Sequence, residues 1–106
     1  MESDRYLDIV SPDDVRVRGT RVGIEHLLTE YLSGRLPEEL AIEFPAVSLE
    51  QVHGVLAWYL RNRPEVDAYL RRWKTRARLA RQAQAQARSP EVVQRLRRLV
   101  EQRVAP

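Results

Sequence analysis

Few side chains in this sequence are of a type and spacing that could carry chemistry. Histidine occurs at His26 and His53 only, and cysteine is absent. His26 and Glu30 stand four apart and would share one helix face, but two ligands fall short of the three or four that a protein zinc site takes. The acid pairs Asp13-Asp14 and Glu38-Glu39 fall in a turn-forming stretch and at a helix start, where solvation and the helix dipole account for them. There is no glycine-rich phosphate loop and no arguable serine–histidine–aspartate spacing. The expectation is a protein that is not an enzyme and uses no cofactor and no metal. Without cysteine, disulfides and thiolate chemistry are excluded, which suits a reducing compartment.

What remains is cationic. Of the 18 cations only Lys74 is a lysine, and the rest are arginine, whose planar fork matches carboxylate and phosphate. The net charge of +3 hides an asymmetry: residues 1–60 carry five cations and eleven acids, whereas residues 61–106 carry thirteen cations and four acids. A basic arm on an acidic body is implied, and such an arm can meet an acidic protein surface, phosphate, or the body itself. Arg71, Arg72, Arg78, Arg95, Arg97 and Arg98 are the candidate partner-binding residues.

The elements that must position these groups read as follows. Residues 7–22 alternate around Ser11-Pro12-Asp13-Asp14 and predict a small hairpin ending at Gly19-Thr20. From Val22 the period lengthens: Ile24, Leu27, Leu28, Tyr31 and Leu32 form one helical stripe that Ser33-Gly34 stops. Pro37-Glu38-Glu39 opens a second helix whose buried side is Leu40, Phe44 and either Ala41 or Ile42, and Pro45 ends it. Ser48-Leu49-Glu50-Gln51 fits a capping box, with Val47 and Val52 at the staple positions, so a third helix runs from Leu49 to about Arg61. Its predicted core side is Leu49, Val52, Val55, Leu56, Tyr59 and Leu60. Gly54, Ala57 and Trp58 are then left outside as a close-packing interface, with Gln51, His53 and Arg61 as candidate DNA contacts.

After Pro64 a long fourth helix carries Val66, Tyr69, Leu70, Trp73, Ala77 and Ala80 on a stripe that shrinks to alanine. Ser89-Pro90-Glu91 restarts a fifth helix with the stripe Val92, Val93, Leu96, Leu99, Val100 and Val104. At about 15 residues this helix is marginal alone in water, so it is expected to dock on something. Trp73 and Leu96 join Gly54, Ala57 and Trp58 as expected oligomer contacts. The fold class is therefore mainly α: a short N-terminal β-hairpin, a tri-helical helix-turn-helix bundle over residues 1–62, and an Arg-rich helical arm over 63–106. The bundle is expected to fold without the arm.

The 106 residues suit one compact domain, with 43% hydrophobic and 31% charged residues, a globular balance. The longest apolar run, Val55–Leu60, spans six residues where a membrane helix needs roughly 18. With an acidic, polar N-terminus, a cytoplasmic location is expected.

Arg18-Gly19-Thr20-Arg21-Val22, an amphipathic helix, Leu36-Pro37-Glu38-Glu39-Leu40 with Phe44-Pro45, and Leu49-Glu50-Gln51-Val52 follow one another over residues 7–62. This pattern resembles the small antitoxin-like family known as domain of unknown function four hundred and thirty-three. The resemblance implies a homeodomain-like tri-helical fold and a role as partner of a PIN-like ribonuclease toxin. It also marks Arg18, Gly19, Thr20 and Arg21 as the family motif, while the arm from Pro64 lies outside it. Two functions are weighed. In one, the arm of an antitoxin places arginines in the acidic site of a toxin encoded nearby. In the other, a DNA-binding regulator grips phosphate with the arm, and a plain dimeric interaction module, most simply a homodimer, is a third reading.

Overall fold

The computed structural model describes residues 4–87 and 90–104, and the chain is mainly helical after an N-terminal hairpin. It divides into two compact units, the first running to Trp73 and the second beginning at Lys74. The Ser89 cap lies outside the described residues, as does the side chain of Val104.

In the first unit, strands β1 (Leu7–Ser11) and β2 (Asp14–Val17) pair antiparallel, with Leu7 opposite Val17 and Ile9 opposite Val15. The alternation does its expected work: Leu7, Val15 and Val17 turn inward and are buried. Helix α1 (Ile24–Leu32) buries Ile24, Leu27 and Leu28, and Gly34 just past its end adopts φ +109°, a conformation that glycine takes without steric cost. Helix α2 (Pro37–Glu43) starts on Pro37, and the Glu39 carboxylate accepts from the Leu36 amide at 3.0 Å. Helix α3 (Leu49–Arg61) has the capping box the sequence announces: Ser48 Oγ accepts from the Gln51 amide at 3.1 Å, and Gln51 Oε1 accepts from the Ser48 amide at 2.9 Å. Val47 and Val52 are both buried beside it.

Four apolar positions depart from the expected pattern: Leu32, Leu49, Leu60 and Trp58. Leu32 is 52% exposed because α1 buries one narrow side; in α2 the buried side is Leu40 with Ala41 and Phe44 partly covered, so of the two alternatives it is Ala41 that faces the core while Ile42 is 80% exposed. Leu49 and Leu60 are also exposed, while Trp58 is fully buried. The buried arc of α3 is rotated toward Trp58 relative to the one read from sequence.

Helix α4 (Arg63–Ala87) explains part of this rotation. Its first turns contribute Val66, Tyr69 and Leu70 to the same core as Val55, Trp58 and Tyr59. The body therefore extends through Trp73 and does not end at Asn62, since a core built on the hairpin and three helices alone would lack these three side chains.

In the second unit α4 continues to Ala87, and helix α5 spans Pro90–Val104. Among the described residues no side chain beyond Leu70 is a buried hydrophobic.

Candidate functional site

The Arg18-Gly19-Thr20-Arg21 turn is held from several directions. Gly19 has φ +75°, and its amide donates to Asp8 Oδ2 at 3.0 Å. Thr20 Oγ1 donates to the Val17 carbonyl at 2.8 Å and accepts from the Val22 amide at 3.0 Å, closing a local turn. The Arg18 amide donates to the Tyr6 carbonyl at 2.8 Å, and its guanidinium stands 3.5 Å from Asp8. Two further acids of the body are engaged away from this turn: Glu43 faces Arg35 at 3.7 Å, and Glu25 accepts from Tyr69 Oη at 2.8 Å. Gln51 Nε2 donates to the Arg18 carbonyl at 3.0 Å, so one glutamine caps α3 and fastens the turn to it. The motif is thereby a structural joint between hairpin and α3, while the Arg21 side chain is exposed.

Helix α3 was expected to offer either a DNA-reading face or an interface of small residues; the structure gives two of the DNA candidates intramolecular partners and corrects the interface at Gly54 and Trp58. Gln51 is committed as just described, and Arg61 donates to Asp4 Oδ2 at 2.8 Å. His53 is exposed. Gly54 lies under the Tyr6 ring, which a Cβ at that position would strike, and Trp58 is at 0% exposure. Only Ala57 of the expected Gly54–Ala57–Trp58 surface faces outward. Tyr6 is the residue sequence reasoning missed: its hydroxyl donates to Glu50 at 3.1 Å, and Arg5 stacks over its ring at 4.8 Å. The one available signal was a lone glycine within a helix, which often marks the close approach of another group.

The start of α4 is anchored by hydroxyls. Tyr69 Oη accepts from the Val15 amide at 3.2 Å while donating to Glu25, and Tyr59 Oη donates to Asp67 at 2.7 Å. Desolvation, reinforced by the Glu25 carboxylate, pushes the Tyr69 phenol up to about 12; burial and Asp67 also raise Tyr59. Arg72 pairs with Asp13 at 3.0 Å, both side chains about half exposed, and Trp73 meets the edge of His26 with ring centres 5.5 Å apart. Arg72 is thus spent within the body, and Trp73 is partly covered. On β2, Arg16 bonds Asp14 through two nitrogens at 3.1 and 2.8 Å and holds that carboxyl below the usual range.

Arg71, Arg78, Arg95, Arg97 and Arg98 are all exposed. On α5, Leu96, Leu99 and Val100 are 57, 53 and 60% exposed, and Val93, Leu96 and Val100 line a shallow apolar groove rimmed by Arg97 and Glu101. Arg95 and Arg98 border a second groove beside Val92 and Leu99. Among the described residues no group of three or more His, Asp or Glu could hold a metal ion, and no helix is long and apolar enough to cross a membrane.

Residues 14–59 match the model of the family described as protein of unknown function DUF433. The match supports the resemblance and runs from β2 to near the end of α3, so α4 and α5 lie beyond it. No curated protein and no solved structure matches the chain.

Proposed function

We propose that the chain is a protein-binding module of the antitoxin type, which occupies an acidic groove of a ribonuclease partner with α5. One observation carries this reading: a 15-residue helix presents Leu96, Leu99 and Val100 to solvent next to Arg95, Arg97 and Arg98. Fully burying one such side chain is worth about 1.5–3 kcal/mol, so three of them form an anchor row for a helix-in-groove contact. The arginines supply the complement of a carboxylate-lined site, and their fork geometry suits carboxylates better than lysine would. The ribonuclease class of the partner comes from the family resemblance, which the body carries over residues 14–59, and the use of α5 from its exposed surface.

The test is co-expression with a PIN-like ribonuclease encoded beside this chain, followed by co-purification and an RNA-cleavage assay. Full-length protein is expected to co-purify and suppress cleavage. Leu96→Asp is expected to abolish both, and Arg95→Glu with Arg98→Glu to weaken both without unfolding the body. A homodimer using the same face is a competing occupant; unchanged ribonuclease binding by Leu96→Asp, together with its loss of dimer mass, would favour it.

A further inference from the structure

The second unit bears a charged surface that the α5 reading leaves unused. Residues 74–106 contain nine cations and two acids. On the distal half of α4, Lys74, Arg78 and Arg81 are exposed, and their spacing of four and three residues places them on one helix face. At 1.5 Å per residue they rise about 6 and 4.5 Å from one to the next. None of the three pairs with a described acid, and no Asp or Glu stands three or four positions from any of them. Like charges at this spacing destabilise a helix by about 0.2–0.5 kcal/mol per pair, so the fold itself gains nothing from the row.

The rest of the face narrows the ligand. Gln82 and Ala85 continue it, and beyond Trp73 the helix has a single large apolar side chain, Leu79, on another side. A membrane-surface helix needs a broad apolar face, and a protein hot spot needs a buried aromatic or aliphatic anchor. Neither is present on this face. A regular row of cations flanked by alanine and glutamine instead suits a regularly spaced polyanion that a helix of about 10–12 Å diameter approaches closely, and the major groove of duplex DNA is about 12 Å wide. We infer that the distal half of α4 binds the phosphodiester backbone of nucleic acid through Lys74, Arg78 and Arg81, independently of the α5 surface. Contacts of this kind position the protein and carry little sequence information.

Fluorescence anisotropy with the full chain tests this, using a labelled random-sequence DNA duplex and a single-stranded RNA of equal length as separate arms over a salt series. Wild-type protein is expected to bind at least one of the two at low salt, and log K to fall linearly with log salt. The triple change Lys74→Gln, Arg78→Gln and Arg81→Gln keeps helix propensity, which circular dichroism verifies. It is expected to weaken binding at least tenfold and to reduce the slope by about 2 to 3, since each phosphate contact contributes about 0.7 on single strands and 0.9 on duplex. The arm that binds tells which nucleic acid is the source. Leu96→Asp is expected to leave this binding intact while abolishing the ribonuclease contact, which separates the two proposals. An unchanged slope in the triple variant overturns the inference. So does a wild-type chain that binds anionic lipid vesicles and neither nucleic acid.

Discussion

Up to Leu70 most of the large apolar side chains are buried or partly covered, with Ile42 and Leu60 among the exceptions, whereas among the described residues from Lys74 onward none is buried. The first unit holds all sixteen buried hydrophobics of the described residues, whereas the second has Leu79, Val92, Leu96, Leu99 and Val100 at 41–60% exposure. Their charges differ in the same way: nine cations and thirteen acids up to Trp73, nine cations and two acids after it. One helix, α4, passes from the first regime to the second, and its stripe shrinks from Val66, Tyr69 and Leu70 to Ala77 and Ala80 as it does so. The contrast separates two tasks. The body uses burial to fix one structure, while the described part of the arm leaves its apolar and cationic side chains exposed, the surface on which the proposed contacts rest.

The comparison breaks most visibly if the boundary is moved. A chain ending at Asn62 loses Val66, Tyr69 and Leu70 from the core and is expected to show no cooperative thermal transition by circular dichroism, whereas one ending at Lys74 is expected to melt cooperatively. Next in size is Trp58→Ala, which opens a cavity at a fully buried site and is expected to cost about 3–5 kcal/mol in urea unfolding.

Tyr69→Phe comes third. It deprives the buried Val15 amide of its acceptor and Glu25 of its donor, at an expected cost of about 1–3 kcal/mol. The same tyrosine predicts a pH dependence. With the folded phenol raised to about 12 against about 10 in the unfolded chain, its contribution is complete below about pH 10 and is lost as pH climbs toward 12. Stability measured across that window is expected to fall less steeply in Tyr69→Phe than in the parent.

Smaller again is Ser48→Ala, which removes half of a capping box and is expected to cost about 1 kcal/mol by the same unfolding measurement. Leu96→Asp closes the series. Because Leu96 is 57% exposed, its unfolding midpoint is expected to stay within about 0.5 kcal/mol of the parent, so any loss of ribonuclease binding reads on contact and not on folding.

The sequence by itself determined what depends on neighbours along the chain. The turn at Pro12-Asp13, the first-turn Pro37, the Ser48–Gln51 box and the glycine stop at Gly34 are each settled by a few adjacent residues, and all stand where the spacing puts them. The charge division of the chain was equally legible, since it is a matter of counting.

Only the tertiary structure decided which side of α3 is inside, where the body ends, and what occupies each candidate site. Periodicity fixes that a helix has an apolar stripe but leaves its rotation open by one residue's step, and here Tyr6 over Gly54 and the start of α4 in the core turned that rotation toward Trp58. For the same reason the distant partners of Gln51, Arg61 and Arg72, read in sequence as candidate DNA or partner contacts, were not legible: Arg18, Asp4 and Asp13 lie 33 to 59 positions away. Burial and pairing are set by packing between distant segments, and no local pattern in the chain encodes them.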